Sequence, residues 1–235
     1  MRQLEKALNQ LNISVSGETV SKFEKYMKQV LEWNEKVNVT AITNEEDFVK
    51  KHFIDSVLCA NFDEIGKADH IIDVGTGAGF PGVPLALIFP EKQFLLIDSL
   101  GKRIKILDEM VGKLEIPNVK TLHTRAEDLA RNKAYREKFD GCVSRAVANL
   151  ATLAEYCLPF VKIGGAFLSY KGPEAVEELK SASKAIKSLG GEAGDVRKVA
   201  LEGFEFDHNI VIVKKIQKTP DQYPRKAGTP AKTPL

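Results

Sequence analysis

The alternation of apolar and polar positions changes its period along this 235-residue chain. Between Thr19 and Val37, the residues Val20, Phe23, Met27, Val30 and Leu31 recur at helical spacing with Lys and Glu between them, which predicts an amphipathic helix. A second pattern follows Thr43, read as an N-cap, with Phe48, Val49, Phe53, Val57 and Leu58 on one side. The first sixty residues therefore read as helical. From residue 69 short apolar runs alternate with helical stretches, the pattern of βαβ units and a parallel sheet. Strands are expected at 71–74, 93–98, 119–123, 139–144, 166–170, 196–201 and 209–216, and helices at 81–89, 102–114, 147–158 and 173–189. Pro81 and Pro173 stand at first helical positions, while Pro90, Pro159 and the pair Gly190-Gly191 follow helix ends. No helix separates the last two strands, so they are expected to pair antiparallel at one edge.

The fold class this predicts is α/β: a seven-stranded, mostly parallel, Rossmann-like doubly wound sheet over 63–217, carrying an N-terminal helical cap over 1–62. Beyond Ile216 come four prolines and no aliphatic run, with Lys218, Arg225, Lys226 and Lys232 against Asp221 alone. Residues 218–235 are accordingly expected to form an extended basic tail outside the core.

Composition narrows the class only slightly. Hydrophobic residues make up 43 % of the chain, enough for one substantial core with a smaller appendage. No uninterrupted apolar run reaches membrane-helix length, and Met1-Arg2-Gln3-Leu4-Glu5-Lys6 does not read as a signal peptide. Cys59, Cys142 and Cys157 are far apart and form no CxxC pair. Buried thiols in a reducing cytoplasm are expected, with no disulfide framework and no metal. A net charge of +2 permits a nucleic-acid partner without arguing for one.

The chemistry concentrates at the run Asp73-Val74-Gly75-Thr76-Gly77-Ala78-Gly79, a buried strand ending in a glycine turn before a helix. In doubly wound sheets, ligands bind at this carboxyl end of the strands. Gly75, Gly77 and Gly79 follow G-x-G-x-G spacing, whereas a dinucleotide site prefers G-x-G-x-x-G. Asp73 would repel a pyrophosphate but attract the ammonium of S-adenosylmethionine; its alternative role is to orient the loop backbone. Asp98, ending the second strand 23 residues past Gly75, suits the two ribose hydroxyls, or else caps the next helix. Glu127 follows the third strand, where the loop should face the adenine. Acids after three successive strands point to an adenosyl sulfonium.

Around these residues stand Trp33-Asn34-Glu35-Lys36-Val37-Asn38-Val39-Thr40, His52-Phe53-Ile54-Asp55-Ser56, Gly77-Ala78-Gly79-Phe80-Pro81-Gly82, Ser144-Arg145-Ala146, Lys171-Gly172 and Tyr223-Pro224-Arg225-Lys226-Ala227-Gly228. With this set the chain resembles, over nearly its whole length, the RsmG (GidB) family of bacterial methyltransferases that act on N7 of a guanine in 16S ribosomal RNA. The resemblance implies a class I methyltransferase fold with an N-terminal helical cap, and S-adenosylmethionine as cofactor. Carried over by motif, the cofactor contacts would be Gly75, Phe80, Asp98, Ser99, Leu100, Ala126, Glu127 and Arg145. The chain departs from the family at Asp207-His208-Asn209, where many members carry an arginine.

Arg145, at the carboxyl edge of the sheet, is the expected catalytic residue, in contact with cofactor, guanine or phosphate; an ion pair with a cap acid is its other reading. RNA contacts are expected from Lys102, Arg103, Lys171, Arg225 and Lys226, with the small ribosomal subunit or an assembly intermediate as partner and the protein acting as a monomer. The fourth strand lacks the Asn/Asp-Pro-Pro-aromatic tetrapeptide of exocyclic-amine methyltransferases, and no proline adjoins Cys142 as cytosine-C5 chemistry would require. A small-molecule methyltransferase and a catalytically silent RNA-binding module are the alternative functions.

Overall fold

The structure, a computed structural model, describes residues 1–37, 40–145, 148–206 and 208–235. The expected helix start at Val147, and Asp207 of the family departure, lie outside the described residues.

The cap comprises α1 (Arg2–Gln10), α2 (Gly17–Asn34), α3 (Glu45–Phe48), a π-helical turn (Val49–Ile54), α4 (Asp55–Val57) and α5 (Asp63–Gly66). Ser16 caps α2 by accepting from the Thr19 N–H. The second N-cap is Asn44, not Thr43 as expected: its side-chain oxygen accepts from both Glu46 and Asp47. The cap is no independent unit, because Leu4, Phe23, Tyr26 and Phe53 share one continuous core with Ile71, Val83 and Leu107 of the sheet domain.

That domain runs β1 (His70–Val74), α6 (Gly82–Ile88), β2 (Gln93–Asp98), α7 (Gly101–Lys113), β3 (Val119–His123), α8 (Ala126–Leu129), β4 (Phe139–Arg145), α9 (Leu150–Cys157), β5 (Val161–Lys171), α10 (Ala175–Ser188), β6 (Gly191–Arg197) and β7 (Asn209–Lys215). The seven strands lie in the order β3-β2-β1-β4-β5-β7-β6. The first five are parallel, and β7 runs antiparallel to both β5 and β6. Alternation along β1 sends Ile71 and Asp73 to the cap face, and Ile72 and Val74 to the face covered by α9 and α10. Pro81 and Glu174 occupy N-cap positions, so Pro81 and Pro173 precede their helices instead of opening them.

Two expectations fail at the C-terminal side. The sixth strand lies at Gly191–Arg197 and shares only its last two residues with the expected 196–201. Gly191 and Gly194 mark close packing: a Cβ on Gly194 would stand 2.8 Å from the Ile212 carbonyl. Residues 218–235 are no free tail, because the segment packs along α9 and ends in the short α11 (Thr229–Lys232). Its carbonyls at Thr219, Tyr223 and Pro224 accept from Arg136 and Arg131, which gives the prolines a folded path that composition could not reveal.

Candidate active site

The glycine loop leaves β1 and is pinned to β2, with the Gly75 and Thr76 N–H groups both donating to the Ile97 carbonyl at 2.9 and 3.1 Å. Gly79 lies at φ +99°, and a Cβ there would collide with the Tyr26 hydroxyl and with Leu107 and Val83 at 2.8 Å, so only glycine lets the cap come this close. Asp73 supports the loop from beneath. Its Oδ2 accepts from the Thr76 hydroxyl at 2.7 Å and the Gly82 N–H at 2.9 Å, while its Oδ1 is buried without a hydrogen-bond partner. Burial is the main cause that lifts its pKa to about 7, against the pull of those two donors and of Arg145.

Asp98 closes β2 with both oxygens engaged: Oδ1 accepts from Leu100 N–H at 2.8 Å and Oδ2 from Gly77 N–H at 3.0 Å. It stands on the rim of a cleft at the carboxyl end of the sheet, where Gly75, Ser99, Ala126 and Glu127 also line the wall. Five of the expected cofactor residues thus meet in one cleft. Asp73, Gly77, Gly79, Phe80, Leu100 and Arg145 do not line it; Leu100 points outward and is half exposed. Sequence reasoning missed Tyr156 on α9 and Ala231 on α11, both of which line the cleft. Neither belongs to a motif. The apolar face of the α9 stretch was the only signal available for Tyr156, and nothing local marks Ala231.

Arg145 ends β4 inside a buried network that the cap supplies. Its guanidinium pairs with Asp55 Oδ2 at 2.7 Å, donates to the Lys51 carbonyl at 3.2 Å and reaches His52 Nδ1 at 3.2 Å. It also lies 5.3 Å over the Phe80 ring, on which His52 stacks at 4.5 Å. Asp55 Oδ1 holds His208 Nδ1 at 2.8 Å, and His52 Nε2 meets the Thr40 hydroxyl at 2.7 Å. Since Nδ1 faces a guanidinium and must accept, His52 is the Nε2–H tautomer. Burial first, then Arg145, lowers its pKa to about 3. The ion pair with a cap acid, the alternative reading of Arg145, is therefore present.

The expected RNA-binding cations separate into two groups. Lys102, Arg103 and Lys226 are exposed. Lys171 is not: its Nζ bridges Glu178 at 2.7 Å and the Ala148 carbonyl at 2.7 Å. Arg225 likewise turns inward, pairing through Nη2 with the fully buried Glu155 at 2.6 Å. The three cysteines are free and buried. No described helix is long and apolar enough to cross a membrane.

The family model described as rRNA small subunit methyltransferase G matches residues 19–208. The chain belongs to this family. It is 50 % identical over 229 residues to the ribosomal RNA small subunit methyltransferase G of Clostridium novyi, covering 97 % of this chain and 94 % of the relative. With the same-named protein of Alkaliphilus oremlandii it shares 49 % identity over 225 residues, 96 % of this chain and 94 % of that one. Among solved structures, an S-adenosylmethionine-dependent O-methyltransferase from Thermotoga maritima matches with a TM-score of 0.53 at 15 % identity, over 81 % of this chain and 72 % of that chain. That likeness speaks to fold alone, and the fold is the class I methyltransferase sheet.

Proposed function

We propose that this methyltransferase moves the methyl group of S-adenosylmethionine to N7 of one guanine in 16S ribosomal RNA, acting in the cytoplasm as a monomer on the small subunit or an assembly intermediate. The observation that carries the cofactor reading is the cleft at the carboxyl end of the sheet, where Gly75 of the glycine loop, Ser99, Ala126 and Glu127 line one wall. The family and its relatives' names supply the RNA, and the 3.0 and 2.8 Å backbone contacts of Asp98 hold a second acid at the cleft rim.

In this reading Asp73 shapes the glycine loop from beneath through Thr76 and Gly82, Asp98 accepts the ribose hydroxyls, and Ala126 flanks the base. S-adenosylmethionine supplies, when bound, an electrophilic methyl sulfonium. The chain's own task is then alignment and exclusion of water. Guanine N7 offers a lone pair and carries no proton, so a strong general base is not needed. The site matches that demand. His52, with its pKa near 3, is a poor base, and Cys142, whose thiol burial pushes well above its ordinary value, is no nucleophile. Arg145 closes the reaction end with a charge fixed by Asp55. Lys102, Arg103 and Lys226 offer free cations for phosphates.

The test is to map N7-methylguanine in small-subunit RNA from cells lacking the protein. One site should lose its methyl group and regain it when the purified protein and cofactor are added to the subunit or its precursors. An unchanged methylation map would overturn the proposal.

A further inference from the structure

The acid that shares the cleft with Asp98 is already engaged by the chain itself. Glu127, 5 % exposed, accepts the Gly228 N–H on Oε1 at 2.8 Å. Gly228 adopts φ +82°, a left-handed turn that redirects the chain into α11. The turn is anchored on both sides. Upstream, Glu155 receives the Arg225 N–H at 2.7 Å, its Nε at 2.9 Å and its Nη2 at 2.6 Å. Downstream, the Thr152 hydroxyl donates to the Pro230 carbonyl at 3.1 Å, and Pro230 is buried. The next residue, Ala231, lines the same cleft as Asp98 and Glu127.

We infer that residues 225–232 build the far wall of the nucleoside cleft, and that Glu127 is a positioning residue which fixes this wall through Gly228. The inference rests on the S-adenosylmethionine reading above and gives the backbone of the basic, proline-rich segment a role at the cofactor, with only the exposed Lys226 left to the RNA. Three features converge on it. Arg225 spends the Nε–Nη2 edge of its guanidinium on an internal carboxylate in a bidentate arrangement. Successive anchors at residues 225, 228 and 230 hold the backbone at near-consecutive positions, which fixes the location of the methyl group of Ala231. The residue that the segment contributes to the cleft wall, Ala231, carries a small side chain.

The test uses the full chain, S-adenosylhomocysteine as probe, calorimetry for affinity and amide hydrogen exchange for the segment. Ala231→Trp should weaken the probe at least tenfold while leaving the urea midpoint unchanged, because Ala231 is exposed. Glu127→Ala should speed exchange of the Gly228 amide at least tenfold. Glu127→Gln, whose amide oxygen can accept the same N–H, should restore that protection; a purely charge-dependent contact would not. Parent-like affinity in Ala231→Trp, unchanged Gly228 exchange in Glu127→Ala, or no rescue by Gln would each overturn the inference while leaving the cofactor reading in place. Failure of the unaltered protein to bind the probe would remove both.

Discussion

Replacing Asp73 with Asn should make the protein progressively more stable than its parent as pH rises. Burial lifts the Asp73 pKa from the ordinary 3.8 to about 7. Between those values the folded chain keeps a proton that the unfolded chain has lost, so stability falls as pH increases through this window. About three pH units at about 1.4 kcal/mol each amount to roughly 4 kcal/mol by pH 8, with the smaller part already lost at pH 5. Asn never ionises, and its amide oxygen can replace Oδ2 as acceptor from Thr76 and Gly82. Its NH2 would occupy the unpartnered Oδ1 position, at a cost of about 1–3 kcal/mol that does not vary with pH. The quantity to test is therefore the widening of the gap between pH 5 and pH 8, on the order of 2–3 kcal/mol. Urea unfolding of both proteins at pH 5, 6.5 and 8 measures it. A gap that stays constant or narrows would refute the argument that a charge is being held in a site hostile to it.

Asp55→Ala should destabilise by about 3–5 kcal/mol, since it leaves the buried Arg145 guanidinium short of its counter-charge, and adding Arg145→Met should recover part of the loss in the same urea assay. Lys102→Ala with Arg103→Ala should lower the slope of log RNA affinity against log salt by roughly 1.4 while S-adenosylhomocysteine affinity stays within twofold; an unchanged slope would place the RNA elsewhere.

The sheet was legible because its first four strands are short, bounded apolar runs; of the fifth, Val161–Lys171, only the second half carried that signal, and α8 after the third was not expected. The same holds for the glycine loop and for Asp98, whose positions follow from a strand end and a distance. Gly191–Arg197 was not legible, since two glycines, Gly191 tight against the Ile186, Leu158 and Val213 side chains and Gly194 against the Ile212 carbonyl, erase the apolar alternation that marks a strand. The tail misled for a related reason. Proline and lysine report an inability to build a core alone, yet Arg131, Arg136, Glu155 and Thr152 supply its hydrogen bonds from elements remote in sequence. Composition describes what a segment can do by itself, and this segment does not act by itself.

The helical cap belongs to the site because of where Arg145 has to stand. A guanidinium on the last residue of β4 projects from the sheet edge, and nothing on β1 or β5 is shown pairing with it. Its hydrogen-bond partners, Asp55, His52 and the Lys51 carbonyl, all come from the cap, and the Phe80 ring of the glycine loop lies beneath it. Phe80 in turn packs against Tyr26, Phe48 and Phe53 of the cap, whose rings fix the height of that face. Asp73 faces the same layer and feels Arg145 as a charge that lowers its pKa. Burial outweighs that pull, and the Thr76 and Gly82 donors lower the pKa more than Arg145 does, so the cap's hold on Arg145 eases the burial of this carboxylate without reversing it. The helices before β1 thus contribute to the electrostatics of the loop that follows it. That is a physical reason for cap and sheet to share one core.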